Sequence, residues 1–182
     1  MSIKINPAIP KLGVKYGLVG GAMAILSFLV FFYLEQQPWR NLISFILDVL
    51  IVGVFCFLPI KDFKSSFNRD ELRFYHGMTI GFISYLTVSF AFMVFYTVFI
   101  NWVEPYFIIQ YKQIQKEDMV NMKDLILAGV EDNPEEFFQS QLSMIDAITK
   151  SQLILDVFLK KLVIGLFLTP IFSIVLRTRQ GQ

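Results

Sequence analysis

The sequence predicts an all-α integral membrane protein: a four-helix transmembrane bundle with an extracytoplasmic antiparallel helical hairpin between spans three and four. Three observations carry this reading. Hydrophobic residues make up 55% of the 182-residue chain and charged ones only 17%, where a soluble domain carries about 25% charged residues. The apolar residues fall in blocks of bilayer-crossing length, not an even scatter. One stretch, residues 104–156, departs from the rest, with ten acids against four lysines.

A helix rises about 1.5 Å per residue, so about 20 apolar residues cross the hydrocarbon. The first span, approximately 12–34, has an uncharged block from Gly17 to Leu34, preceded by Lys11 and Lys15 and followed by Glu35. That block exceeds the usual signal-peptide core, and no small-residue cleavage site with a soluble domain follows, so a retained span is expected. Gly13, Gly17 and Gly21 recur at every fourth residue, a small-residue face that lets another helix approach closely. It is expected to pack within the chain and not as a homodimer seam. No glycine-rich phosphate-binding fingerprint accompanies it.

The second span, approximately 41–60, contains Asp48 and ends at Pro59 before Lys61 and Asp62. The third, approximately 77–103, has 27 residues without a charge, which at about 1.5 Å each reach about 40 Å; it should tilt or emerge at Trp102. Its aromatic residues (Phe82, Tyr85, Phe90, Phe92, Phe95, Tyr96, Phe99) are expected to face lipid or fill the core. The fourth, approximately 157–177, has 15 uncharged residues, Leu162 to Leu176, and reaches full length if Lys160 and Lys161 snorkel. Thr169-Pro170 predicts a kink.

Short-loop basic residues set orientation. Lys4, Lys11, Lys15, Lys61, Lys64, Arg69, Arg73, Arg177 and Arg179 share one side; Arg40 alone occupies the other short loop. Both termini are therefore expected in the cytoplasm and residues 104–156 outside. The basic loop, with Asp62, Asp70 and Glu71 interspersed, should contact anionic headgroups, and His76 should be interfacial.

Within the acidic segment, Ile114, Val120 or Met122, Leu125 and Leu127 form one helical stripe, and Phe138, Leu142, Ile145 and Ile148 a second. Between them Asn133 is placed to cap, Pro134 to open the second helix and Glu136 to complete the cap, with Gly129 ending the first helix. Each arm would extend its transmembrane neighbour. Phe137 and Phe138 cannot both enter one narrow seam, which makes this tip a candidate partner-docking surface.

Asp48 is the most informative single residue. A carboxylate within a span costs about 2.5–3.5 kcal/mol on insertion scales, so it is expected to pair with Lys160 or Lys161, which enter span four from the same side. The alternatives are a proton- or cation-transfer role for Asp48, or a protonated acid hydrogen-bonded to Ser, Thr or Tyr. Cys56 and His76 are each the only residue of their type, which argues against an internal disulfide, the two-cysteine half of a zinc site or a multi-histidine metal site. No catalytic, cofactor or metal motif is found, and a net charge of +1 gives no reason to expect nucleic acid as a partner.

Certain segments bear a family likeness: Lys15-Tyr16-Gly17-Leu18 opening span one, Leu58-Pro59-Ile60-Lys61-Asp62-Phe63 closing span two, and His76-Gly77-Met78-Thr79-Ile80-Gly81 entering span three. With Asn101-Trp102-Val103-Glu104-Pro105 at the exit of span three and a polar helical insert before a short last span, the chain resembles the small four-span inner-membrane proteins of Bacteroidota, known as a domain of unknown function. The resemblance implies architecture and a bacterial inner (plasma) membrane, and no catalytic residues. Tetraspanin-like and claudin-like proteins share the four-span plan but rely on outer-loop cysteines that this chain lacks.

These readings favour a non-enzymatic accessory or assembly subunit of an envelope complex, with the lipid bilayer, another envelope protein or a homo-oligomer as partners. The alternative is a small transporter or lipid-handling protein using Asp48. An enzyme acting on a lipid-linked substrate would need acids converging at one membrane face.

Overall fold

Asn6 starts the first helix, its side-chain oxygen accepting from the Ala8 backbone N–H at 3.0 Å. From there α1 runs over Ala8–Tyr33. The remaining elements are α2 (Leu42–Asp62), α3 (Phe74–Val98), α4 (Phe107–Asn121), α5 (Lys123–Leu127), α6 (Pro134–Ala147) and α7 (Lys150–Val175). Short π-helical turns, Phe63–Phe67 and Phe99–Val103, continue α2 and α3. The computed structural model describes residues 6–129 and 133–178; Lys4, Glu131, Asp132 and Arg179 lie outside them. Among the described residues there is no strand, and the fold is all-α.

Four segments, Ala8–Tyr33, Leu42–Phe67, Phe74–Val103 and Lys150–Val175, are long and apolar enough to cross a membrane. The second opens where the Asn41 side chain accepts from Ile43 N–H at 2.8 Å, an N-cap that satisfies one orphan donor. The helix that carries the fourth begins at Lys150. Thr149-Lys150-Ser151-Gln152 forms a capping box there: the Thr149 N–H donates to Gln152 Oε1 at 2.7 Å, and the Gln152 N–H donates to Thr149 Oγ1 at 3.3 Å. Hydrophobicity sets which residues meet lipid, whereas the cap sets where the helix starts. Pro170 lies within α7 without ending it.

The chain divides into two units, Met1–Phe95 with Val157–Gln182, and Tyr96–Asp156. In the first, small residues fix the helix registers. A β-carbon built on Gly13 would lie 2.7 Å from Ile83, on Gly17 2.5 Å from Thr87, and on Gly21 2.7 Å from Ala91. Both numbers rise together, so α1 and α3 run parallel. Between α3 and α7 the order reverses: Gly77 meets Ser173, Gly81 meets Thr169 and Tyr85 meets Gly165, an antiparallel seam. Gly20 and Gly53 admit Phe55 and Leu168 in the same way. Without a hydrophobic drive between helices in lipid, this close backbone approach supplies the packing energy.

Two apolar clusters fill the unit. Ile9, Leu12, Ile60, Phe63, Leu72 and Ile80 gather the ends of all four spans, with Phe172 and Leu176 of the last packed against them. Val52, Phe55, Cys56, Tyr85 and Val88 form the second. Ser84 Oγ donates to the Phe55 carbonyl at 2.5 Å and Ser89 Oγ to the Tyr85 carbonyl at 2.8 Å, so these buried hydroxyls are satisfied.

In the second unit α4 and α6 lie antiparallel. Lys112 Nζ donates to the Asp146 carbonyl at 2.7 Å, Lys116 bridges the Asp146 carboxylate at 2.6 Å, and Lys123 bridges Glu135 at 2.5 Å. Phe138 and Ile145 are buried, as is Phe107, whose ring stands edge-on to Tyr96 and Phe99. The first arm differs from the sequence expectation. It breaks at Met122 into α4 and α5, and the break turns Val120, Met122 and Leu125 outward (55%, 50% and 72% exposed). The arms do not continue directly from the spans: non-helical residues intervene at Glu104 and again at Ile148–Thr149. Asn133 makes no side-chain cap; it takes a left-handed conformation, φ 46°, which asparagine tolerates better than most residues. Pro134 does open α6, with Glu135 and Glu136 in its first turn.

Candidate functional site

A four-residue period of α7 faces inward: Leu153, Lys161, Gly165, Thr169 and Ser173 are buried, and Val157 between them is half-buried. Lys161 therefore stands on the packing face of its helix, while Lys160, one position round, is exposed. On α2 the same spacing joins Ser44, Asp48 and Val52, with Ser44 and Val52 buried. These two faces bring Lys161 Nζ to 2.6 Å from Asp48 Oδ2. The Lys161 side chain is 3% exposed and the Asp48 side chain 32%. Phe92 of α3 completes the arrangement, its ring centroid 4.1 Å from the ammonium. A desolvated cation over a phenyl face gains up to about 2 kcal/mol.

Depth follows from rise per residue. Asp48 lies 14 residues before Asp62, and Lys161 15 before Leu176, both about 21–22 Å along the helix axis. Were these helices to cross a hydrocarbon layer about 30 Å thick, the pair would lie within the apolar zone, toward the end opposite the basic residues. There a lone ion would be costly, and pairing offsets part of that cost. The site holds two opposite charges in contact. Among the described residues no three His, Cys, Asp or Glu side chains gather where they could hold a metal ion.

The other candidate residues fall as follows. Gly13, Gly17 and Gly21 lie buried against α3. The third-span aromatics divide: Phe82 and Phe90 are exposed, whereas Tyr85, Phe92, Tyr96 and Phe99 are buried. At the hairpin tip Phe138 is buried beneath Lys123, whose Nζ is 5.0 Å from the ring centroid, and Phe137 is 38% exposed. Cys56 is buried, its thiol 4.0 Å from the Gly81 carbonyl. His76 packs against the rings of Phe63 and Tyr75.

Two features escaped the sequence reading. Gly77-x-x-x-Gly81 and Lys161-x-x-x-Gly165-x-x-x-Thr169-x-x-x-Ser173 carry the α3–α7 seam, and the second of these spacings selects Lys161 over Lys160 as the buried lysine. The signal was present as a four-residue period of small side chains. Phe92, the third member of the site, carried no distinguishing signal among so many phenylalanines.

A family model described as a protein of unknown function (DUF4199) matches residues 15–178. No curated protein and no solved structure matches the chain.

Proposed function

From the premise that the chain belongs to the DUF4199 family of proteins of unknown function, we propose that it is a non-enzymatic accessory or assembly subunit in a bacterial inner-membrane complex. The observation that carries this reading is the apolar surface left on an otherwise polar hairpin. Leu125, Met122, Val120 and Phe137 are exposed, each within three residues of Lys123 or Glu135, which form an ion pair. Residues 104–156 carry a net charge of −6, so acids keep the hairpin solvated around that apolar patch. Exposed apolar residues rimmed by charge are the surface chemistry of protein docking. In this reading both termini are cytoplasmic, the hairpin stands outside, and the partner is another envelope protein.

The Asp48–Lys161 pair supports a structural role for the intramembrane acid over the transport alternative, which needs Asp48 unengaged. The test replaces Phe137 and Leu125 with Ser, leaving the buried Phe138 intact. Affinity purification from native membranes should recover the variant at wild-type yield without a protein that the wild type retains. Retention of every wild-type partner would remove the docking reading.

A further inference from the structure

We propose that the basic end of the membrane unit is a fixed platform for the headgroups of anionic phospholipids. The ends of all four spans converge there on one apolar cluster. The loop between α2 and α3 is stapled to the end of α7. Leu72 N–H donates to Thr178 Oγ1 at 2.8 Å, Thr178 N–H donates to the Leu72 carbonyl at 3.0 Å, Thr178 Oγ1 donates to the Asp70 carbonyl at 2.8 Å, and Lys64 Nζ donates to the Leu176 carbonyl at 3.1 Å. Inside the loop, Asn68 Nδ2 donates to the Glu71 carbonyl and Asp70 N–H to the Lys64 carbonyl. Arg69 and Asp70 take left-handed backbone conformations, φ 49° and 61°, which are uncommon for such residues and are held by this network.

The network fixes where charge is displayed. Lys11, Lys15, Lys61, Arg69, Arg73 and Arg177 are exposed, and among the described residues none is in an ion pair. The acids nearby are fewer. Asp62 already accepts from Tyr16 Oη at 3.2 Å and from Ser66 Oγ at 2.8 Å, and Asp70 and Glu71 are exposed. Phe67, Phe74 and Tyr75 are exposed at the same end. Cations mixed with exposed rings suit the headgroup layer: aromatic side chains settle at the bilayer interface, and guanidinium groups bind phosphate oxygens through paired donors. Lipid is chosen over a soluble anion because the spans hold this surface at the interface and the rings need an apolar neighbour. The inference is independent of the hairpin's role.

The test compares purified protein in nanodiscs of phosphatidylcholine with nanodiscs containing phosphatidylglycerol, reading thermal unfolding and, by native mass spectrometry, retained lipid. Phosphatidylglycerol should raise the Tm and be retained selectively, with the effect shrinking as salt is added. Replacing Arg69, Arg73 and Arg177 together with Gln should weaken retention about fivefold per cation removed, while replacing the same three with Lys should preserve most of it. Equal Tm and retention in the two lipids would overturn the proposal, as would undiminished retention in the Gln variant or a salt-independent effect in the wild type. Reproduction of the Tm rise by inorganic phosphate in phosphatidylcholine discs would overturn the lipid assignment.

Discussion

Lys161 is the buried member of the 2.6 Å ion pair and Asp48 the member that reaches the surface of the bundle. The two sides of the pair are therefore not equivalent. Asp48→Leu leaves an ammonium inside the packing face of α7, and the expected loss is about 3–5 kcal/mol. Lys161→Leu leaves the carboxylate without its counter-ion and should also destabilise the bundle. The double replacement should recover much of the loss. Thermal unfolding of the four proteins in one detergent checks this; strict additivity of the single changes would exclude coupling.

The helix registers rest on glycine. Gly17→Ala places a methyl 2.5 Å from Thr87 Cβ and 2.7 Å from the Ser84 carbonyl. Neither neighbour is the end of a flexible chain, so overpacking should cost about 1–3 kcal/mol and outweigh the gain of about 1 kcal/mol that alanine brings to a helix. Gly129, with nothing within 4 Å of a built β-carbon, should accept Ala with a change within about 0.5 kcal/mol. A proteolysis or unfolding assay of both variants separates the two outcomes.

Topology is open to direct measurement. A reporter active only outside the cytoplasm should signal when inserted at Asn121 and stay silent at Asn68. The inverse pattern would reverse the orientation, and equal signals would break the alternation of spans.

The capping box of α7 should act locally. Thr149→Ala and Gln152→Ala each remove a partner of the reciprocal bonds, with an expected loss of about 0.5–2 kcal/mol. Hydrogen exchange should accelerate in Lys150–Leu153 and not in the remainder of α7. Uniform acceleration along the helix would show that the cap governs the whole element.

The spans were readable from sequence because burial in lipid demands long uncharged blocks. Where local bonding competes with hydropathy the reading slipped. Thr149 and Gln152 start α7 early for reasons unrelated to apolarity. Met122 interrupts the first hairpin arm, so Met122 and Leu125, neighbours on one face of an ideal helix, end up outside the seam. Asn133 had cap chemistry but took the left-handed backbone that a side-chain cap cannot use. Asp48 and the two lysines were legible as a charge problem; the choice of Lys161 lay in the Gly165, Thr169 and Ser173 phase. Phe92 could not be singled out, because which of many rings lies over a cation is decided by the α2–α3–α7 arrangement.

Asp48 and Lys161 belong to opposite ends of the chain, and synthesis delivers them at different times. When α2 leaves the ribosome its carboxylate has no counter-ion, and none arrives until α3 and the entire hairpin have been made. In that interval the insertion machinery, headgroups or water must shelter the acid. A product truncated before α7 keeps the exposed charge permanently. Neutralisation of Asp48 thus waits for the synthesis of α7.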